Sequence, residues 1–475
     1  MMKKQNFFQL LRFLLLLSGP ALTACNPAGP YRQPDVAMPA AYRTSSSTAN
    51  GKDTTTVATM PYTVFFTDAT LRSLIDSAVV SSLDLQIALR NIDYSRQALN
   101  AARLGNIPAL AIGADASLSH PSDYGPNAVT SGEKNKQDYT AYATMSWEAD
   151  IWGKIHSRKK SALATYLQSA EAAKAVKTRL VADVAQGYYN LLMLDEQLET
   201  TRKNLALADT TLNMMKLQYN AGMVTSLAVQ QQEASRASVA LSIPVTEQMI
   251  SAQENALSIL CGKMPGAVNR QKNLFMIAVY NDLPAGVPVS LLQNRPDVRA
   301  SELAVRAAHA NMGEAAASLY PSLKITAEGG VNALRASDWF SLPGSLFSVV
   351  QGSLLQPIFQ QGQLRARYGQ SKISWEKSEL EFKQTVLKAV GEVSNVLVQL
   401  EKLKAGETLA AERSTTLRKA VANAGLLFRS GMATYLEVIV AQTNALQAEL
   451  ALSDIRRQRL SAMAELYRAL GGGWK

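Results

Sequence analysis

Two segments of the chain alternate strictly between apolar and mostly polar residues. Their apolar positions are Tyr139, Ala141, Ala143, Met145 and Trp147 in the first segment, and Leu323, Ile325, Ala327 and Val331 in the second. A period of two over about ten residues predicts a tilted strand that can cross the apolar layer of a bilayer. Weaker alternation in "PALAIGADASLS" and "SLFSVVQGSLLQ" gives each strand a hairpin partner. The alternative is two half-buried hairpins of a soluble sheet.

Four strands are too few to close a transmembrane barrel. The smallest such barrels have about eight strands, and an open sheet edge in lipid leaves backbone groups unpaired at a cost of several kcal/mol each. If these strands enter a membrane, several chains must therefore share one barrel.

Two intervals without proline, rich in Ala, Leu, Gln, Lys and Glu, predict very long helices. They run from Gly153 to Gly222 and from Gly362 to Gly431, and 222 − 153 and 431 − 362 both give 69. At a rise of 1.5 Å per residue, each helix would be about 100 Å long. Because no single-domain core has that length, these helices must pack in a bundle or barrel of helices.

An internal duplication covers most of the chain. The phrase "YNAGMVTSLAV" ends the first interval, and "FRSGMATYLEV" ends the second at an offset of 428 − 219 = 209 residues. Further upstream the offset is 213, which pairs Asp84 with Asp297 and Pro108 with Pro321. The fold is therefore expected to have pseudo-two-fold symmetry.

Each repeated phrase is interpreted as the turn at the far end of a long helix. Gly222 and Gly431 stand where a helix C-cap favours glycine, and Thr225 and Thr434 stand where they can cap the returning helix. We call these two segments, residues 219–229 and 428–438, the tip turns.

A further helix is expected before the first hairpin. Its apolar residues recur at helical spacing, at Leu71, Leu74, Ile75 and Ala78. The pattern predicts one helix that begins after an N-cap at Thr67 or Asp68 and continues to the break at Gly105 and Pro108.

The N-terminus has the features of an export signal. "MMKK" is basic, "LLRFLLLLSG" is too short to span a bilayer stably, and "LTAC" ends at Cys25. This resembles a bacterial lipoprotein signal that is cleaved before Cys25, with a lipid on its thiol; the alternative is an ordinary signal with an incidental cysteine. Cys261 would then be the one free thiol, expected to be buried at a helix end.

Charge and residue chemistry argue against other classes of function. The formal net charge is +10, but Lys and Arg are dispersed among acidic residues, which is typical of solvated helix faces and not of a nucleic-acid interface. His120, His156 and His309 have no partner at metal-ligand spacing, and no nucleophile elbow or phosphate loop is present. We therefore expect no enzyme, no metal site and no cofactor other than a covalent lipid on Cys25.

Taken together, the motifs resemble the TolC family of outer-membrane efflux proteins, in its lipidated OprM/CusC/NodT-like branch. In chain order the motifs are "LTAC", "GPYRQP", "FFTDATLRSLIDSAVVSSLDLQIALRNI", "SWEADIWGK", "YNAGMVTSLAV", "NRPDVRASE", "LYPSLKI", "QPIFQQGQLRA", "FRSGMATYLEV" and "LYRALGGGW". They span nearly the whole sequence in the family's order.

The resemblance implies an α+β membrane protein that works as a homotrimer. Four strands per chain would form a twelve-stranded β-barrel in the outer membrane, and a long periplasmic α-helical barrel would continue it. The implied function is that of an exit duct, which passively conducts substrates from an inner-membrane pump, expected to be of the RND type, through a periplasmic adaptor. Lipids of the outer membrane would surround it. The alternative is a lipid-anchored periplasmic coiled-coil scaffold without a pore.

The same resemblance implies functional residues at the tip turns. The expected adaptor contacts are Gly222, Met223, Thr225, Gly431, Met432 and Thr434. Relatives place acidic residues just after the turn, and of the positions concerned only Glu437 is acidic here, whereas Val440 and Ala228 depart from the pattern. Glu437 is therefore expected either to form a charged ring at a periplasmic gate or to be an ordinary charge at a helix start.

The expected domain organisation follows the duplication. Residues 1–24 would be the signal peptide and 25–64 a lipid-anchored tether. Repeat 1 would span 65–261, repeat 2 would span 296–470, with an equatorial linker at 262–295 and a tail at 471–475. Each repeat would contain, in order, a helix, a β-hairpin, a long helix, the tip turn and a return helix. The hairpins are expected at about 108–148 and 321–357, and the long helices at about 153–220 and 362–429.

The motif at Cys25 generates the first prediction. Replacing Cys25 by Ala within a cleavable signal should abolish acyl labelling but leave much of the protein in the membrane, because the shared barrel holds it as well; each buried lipid methylene adds only about 0.8 kcal/mol. Membrane fractionation with a labelled fatty acid measures both effects. Complete release into the soluble fraction would exclude the barrel.

Overall fold

The computed structural model describes residues 27, 29–43, 56–122, 124, 135–280 and 283–474. Within these residues the α-helices are α1 Tyr62–Phe65, α2 Ala69–Ser81, α3 Leu83–Arg103, α4 Lys154–Asn220, α5 Ser226–Leu260, α6 Leu291–Asn294, α7 Pro296–Ala317, α8 Gln363–Arg429 and α9 Tyr435–Ala469. The strands are β1 Ala109–Ser119, β2 Lys136–Ala149, β3 Ser322–Ala333 and β4 Leu346–Leu355. Cys25 lies outside the described residues.

The four strands form one antiparallel sheet in the order β1-β2-β3-β4. The ladders are long: β1 pairs with β2 from Ala109 to Ser119, and β3 pairs with β4 from Ser322 to Val331. Within the described chain, β1 and β4 each have a neighbour on one side only. Both edges of the sheet are therefore open.

The two faces of the sheet differ sharply in polarity. One cross-strand row consists of Leu110, Met145, Ala327 and Val350, and a row on the opposite face consists of Asp115, Thr140 and Asn332. The apolar face is uncovered, since Leu110 is 79%, Ile112 89% and Val350 78% exposed. A half-buried soluble sheet would cover this face, so the exposure favours contact with lipid.

The long helices have equal lengths in the two repeats. Helices α4 and α8 each contain 67 residues, and the return helices α5 and α9 each contain 35. A helix of 67 residues is about 100 Å long, as the spacing of the glycines predicts. In the described part of the chain, no helix combines the length and the apolar character that a membrane crossing requires.

Helix α5 continues through a proline. Pro244 lies in its interior, where proline removes one backbone hydrogen bond, and the matching position of α9 is Ser453, since 244 + 209 = 453. Ser453 is buried, and its hydroxyl donates to the Glu449 carbonyl oxygen at 3.0 Å. The two return helices thus have the same length but different local chemistry.

The chain divides into two compact units. The first contains residues 93–168 and 302–381 together with the N-terminal segment to Pro34, and it includes the sheet. In this unit the Trp152 indole N–H donates to the Pro321 carbonyl oxygen at 2.8 Å and its ring stacks on Tyr320. These contacts join the end of the first hairpin to the start of the second.

The second unit contains residues 35–92, 169–301 and 382–475. Its aromatic core includes the stacked rings of Phe65 and Tyr467, 4.3 Å apart between centroids, with Phe66 edge-on to Tyr467. The Tyr467 hydroxyl donates to the Met60 carbonyl oxygen at 2.5 Å. Segments from both ends of the chain therefore meet in one core.

Two arginines, of which Arg295 is buried and Arg270 is partly exposed, attach the linker to the helices of this second unit. Arg295, 3% exposed, pairs with Asp297 at 2.6 Å and Glu392 at 2.9 Å, and it also donates to the Ala469 carbonyl oxygen. Arg270 bridges helices α4 and α5 by pairing with Asp195 and Glu254. Because the buried guanidinium of Arg295 would cost several kcal/mol without its carboxylates, its pairs fix where the end of the linker lies.

The prediction of a single helix between the N-cap at Thr67 or Asp68 and the break at Gly105 is wrong. The helical path is interrupted at Ser82, whose backbone is extended (φ −58°, ψ 126°). Helix α2 ends before this residue and α3 begins after it. Ser82 serves both helices: its N–H donates to the Ala78 carbonyl oxygen, and its carbonyl oxygen accepts from Gln86. Of the two candidate N-caps, Asp68 is the one that accepts from Leu71 N at 2.8 Å.

The sheet generates the second prediction. Met145→Arg places a charge on the apolar face and should destabilise the inserted protein by about 2 to 4 kcal/mol per chain near the bilayer midplane. The matched control is Thr144→Arg, one residue away on the polar face, which should cost much less. Refolding into lipid vesicles, read by the yield of SDS-resistant oligomer, compares the two. Equal losses from both variants would contradict this orientation of the sheet.

Candidate functional site

Both tip turns end a long helix with the same backbone motif. Gly222 and Gly431 have φ of +71° and +75°, the left-handed conformation that favours glycine. Gly222 N donates to the Tyr219 carbonyl oxygen, and Met223 N donates to the Gln218 carbonyl oxygen, both at 2.9 Å. The same pair of bonds recurs at Gly431 and Met432. This is a Schellman motif, in which the glycine stands one residue beyond the C-cap.

The returning helices begin with threonine N-caps, but they are capped differently. The Thr225 hydroxyl oxygen accepts from Ala228 N at 3.3 Å. In the second repeat, the Glu437 carboxylate accepts from Thr434 N at 2.6 Å and from the Thr434 hydroxyl at 3.1 Å. Glu437 is thus the acidic residue of a capping box, which stabilises the start of α9.

The two tip turns share one small hydrophobic core. It consists of Met215, Ala228, Phe428 and Val438, with two residues from each repeat. Ala228 is completely buried there, at the position that matches Glu437 (228 + 209 = 437). An acidic residue at 228 would enter this apolar core, so packing explains why the first repeat departs from the acidic pattern.

Polar contacts hold the helices together next to the turns. Between α4 and α5, Lys216 pairs with Glu233 at 2.8 Å and Arg236 pairs with Asp209 at 2.7 Å. Because both pairs are exposed to solvent, each adds little to stability. The side-chain amide of Gln442 in α9 donates to the Thr211 hydroxyl of α4 at 2.9 Å, which links the repeats.

Matching apolar side chains project into solvent from the two turns. Met223 and Met432 are each 72% exposed, and Leu227 and Leu436 are each 55% exposed. Equal exposure at equivalent positions means that the duplication preserves a surface as well as a turn. Sequence reasoning did not assign the leucines to the site, although both lie inside the repeated phrase.

The structure places the predicted site residues as follows. The residues predicted to contact the adaptor lie at the two tip turns, and Glu437 and Val440 are exposed. Cys261 is buried at the C-cap of α5. The imidazole of His309 packs against the rings of Tyr31 and Trp375. No group of three or more potential metal-binding side chains occurs among the described residues.

The family model for outer membrane efflux proteins matches residues 74–263 and 287–472, which is most of the chain. The chain belongs to the outer membrane efflux protein family. The match breaks within the linker, between the two repeats.

Individual members of this family are similar over nearly their whole length. The chain is 29% identical to the probable efflux pump outer membrane protein TtgC of Pseudomonas putida over 426 residues, covering 86% of this chain and 84% of the relative. It is 28% identical to the outer membrane protein OprJ of Pseudomonas aeruginosa over 470 residues, covering 97% and 95%.

Solved structures of outer-membrane channels have the same fold. The channel OprN superposes with a TM-score of 0.87 at 24% identity, covering 95% of this chain and 100% of that one. CusC superposes with a TM-score of 0.81 at 25% identity, covering 94% and 99%. The open state of the MtrE channel of Neisseria gonorrhoeae gives 0.82 at 24% identity, covering 94% and 98%.

These findings confirm the predicted family, fold class, localisation and general function. The protein is an outer-membrane efflux channel and not an enzyme. Its family forms trimers, in which a β-barrel is joined to a long α-helical barrel, and works with an adaptor and an inner-membrane pump. Nothing supports the alternative of a scaffold without a pore.

Proposed function

We propose that the tip turns of this efflux channel are the surface on which a periplasmic adaptor of the membrane fusion protein class docks. The observation that carries the proposal is the matched exposure of Met223 with Met432 and of Leu227 with Leu436. Exposed apolar side chains at defined, repeated positions are typical of a protein-binding surface. The flexible thioether of methionine also adapts readily to a partner's surface.

The rigid frame behind these side chains suits them for docking. The Schellman motifs and the shared core hold each turn in one conformation, so that little ordering entropy is lost when a partner binds. The adaptor would receive substrate from an RND-type pump of the inner membrane, which supplies the energy. Relatives are named as toluene, solvent or antibiotic efflux proteins, which supports small organic compounds as the cargo.

We also propose that a lipid on Cys25 anchors the mature chain. The signal ends in "LTAC", and Gly29 and Tyr31 are in the same compact unit as the sheet. The acyl chains would enter the membrane beside the barrel, and the tether would follow. This is the one covalent group that we assign to the protein.

The third prediction tests the docking surface. A photo-crosslinking amino acid at Met432 should capture an adaptor of the membrane fusion protein class in cells that contain the pump operon. The matched control is Leu409, a leucine inside α8 and away from the turns, which is 65% exposed against 72% for Met432. Mass spectrometry identifies the captured protein. Capture of the adaptor at Leu409 but not at Met432 would overturn the assignment.

For Glu437 we propose a second role besides capping. In a trimer, three copies of Glu437 would form one negative ring at the periplasmic mouth, and its field would favour cations in a narrow passage. The carboxylate is exposed while it accepts from Thr434, so its charge remains available to the solvent. The first repeat cannot add a second ring at the matching position, because Ala228 is buried.

The fourth prediction separates charge from capping. Glu437→Gln retains an acceptor for the capping box but removes the charge. In planar bilayers it should lower the preference for cations and weaken block by multivalent cations, at unchanged trimer yield. Glu437→Ala removes both the acceptor and the charge. It should in addition lower the free energy of unfolding by about 0.5 to 2 kcal/mol. Unchanged selectivity and unchanged block on intact Glu437→Gln trimers would leave Glu437 as a capping residue only.

A further inference from the structure

A row of the sheet pairs one tyrosine with two glycines. Tyr142 in the middle of β2 lies directly opposite Gly113 of β1 on one side and Gly330 of β3 on the other. The next residue of this row is Phe347 of β4. Tyr142 therefore has no side chain beside it on either neighbouring strand.

The tyrosine ring occupies the space above Gly113. A Cβ atom at Gly113 would lie 2.7 Å from Cζ, 2.8 Å from Oη and 3.0 Å from Cε2 of Tyr142, which is closer than real Cβ contacts. All three atoms belong to the outer part of the ring, so the ring leans over β1 against the sheet. The Tyr142 hydroxyl lies next to the carboxylate of Asp115, which is two residues from Gly113 on β1.

At Gly330, an added side chain would meet a different kind of obstacle from the one at Gly113. A Cβ atom there would collide with backbone atoms, namely the Ala141 carbonyl oxygen and the Tyr142 Cα atom. A substitution at Gly330 would therefore disturb the β2–β3 ladder itself. At Gly113 only a side chain is in the way, and a side chain can rotate.

Tyr142 is on the polar face of the sheet. Its row alternates with the row of Leu110, Met145, Ala327 and Val350, so the tyrosine faces away from these apolar side chains. In a barrel whose apolar face contacts lipid, the opposite face lines the lumen. Three copies of Tyr142 would then lie at one level of the bore.

We propose that the lack of a side chain at Gly113 leaves a recess in the barrel wall, in which the Tyr142 ring lies flat. Because the ring stays against the wall, the bore is wide at this level. Any side chain at position 113 displaces the ring from the wall and turns it towards the lumen in all three subunits. Gly113 is thus a residue that sets the size of cargo the outer barrel admits. The inference rests on the channel function, because it concerns the width of that channel.

The fifth prediction measures this width. Gly113→Ala and Gly113→Val trimers in planar bilayers should exclude neutral polymers of smaller radius than the native channel does, with polymer added on the extracellular side so that the periplasmic mouth does not limit entry. Single-channel conductance in high salt should fall by roughly 1.2- to 2-fold, more for Val than for Ala. Intact SDS-resistant trimers are selected first; if Gly113→Val gives none, Gly113→Ser replaces it.

Two further variants test whether displacement of the Tyr142 ring causes the narrowing. Gly352→Ala in β4 controls for the effect of an added methyl group on the sheet itself. A Cβ there meets nothing within 4 Å, and Gly352 lies opposite Ile325 on the apolar face, so this variant should leave polymer access unchanged. The double variant Gly113→Ala with Tyr142→Ala should restore native access. The inference is overturned if Gly113 variants form channels of native width, or if the narrowing persists without Tyr142. A complete lack of channel activity in the native protein would instead contradict the channel function.

Discussion

Backbone groups at the two free edges of the sheet impose the strongest constraint on this protein. In lipid, each N–H or C=O group without a partner costs several kcal/mol, and both β1 and β4 present a row of such groups. One chain cannot satisfy them, since four antiparallel strands do not close. The uncovered apolar side chains of the same sheet, such as Ile112, need lipid at the same time. Assembly, membrane insertion and pore formation therefore depend on one another, and a folded monomer lacks the conditions for all three.

In the helical part, the duplication provides the apolar partners that the two tip turns pack against. Two long helices of equal length end in the same Schellman turn, and the turns stabilise each other through the shared core of Met215, Ala228, Phe428 and Val438. The repeats have nevertheless diverged where packing allowed it: position 437 kept a carboxylate in solvent, whereas position 228 became part of the core.

Much of this architecture was predictable because it depends on local, periodic signals. Alternation identified the strands, the absence of proline and the paired glycines identified the long helices, and the repeated phrase identified the turns. The break at Ser82 was not predictable, because a serine in a helical pattern gives no strong signal and its extended backbone is fixed by bonds to both helices. The continuation of α5 through Pro244 likewise depends on packing and not on intrinsic propensity.

The position of the candidate site could be predicted from the sequence, but the residues that form its surface could be predicted only in part. The turns and their caps follow from Gly222, Gly431 and the threonines, but the exposure of Leu227 and Leu436 and the burial of Ala228 required the fold. The role of Gly113 was hidden from the sequence, because the contact that gives it meaning comes from the neighbouring strand.

Exposed apolar pairs and a single capping carboxylate give the end of the channel two different symmetries. Each subunit contributes two near-equivalent methionines, Met223 and Met432, so a trimer displays six apolar positions in a quasi-six-fold arrangement. Glu437 occurs once per subunit, so its charge repeats only three times. A partner ring with six subunits could therefore contact every apolar position, while alternate subunits of that ring would meet different electrostatic surroundings. Because of the duplication, identical copies of such a partner would become inequivalent once they are bound.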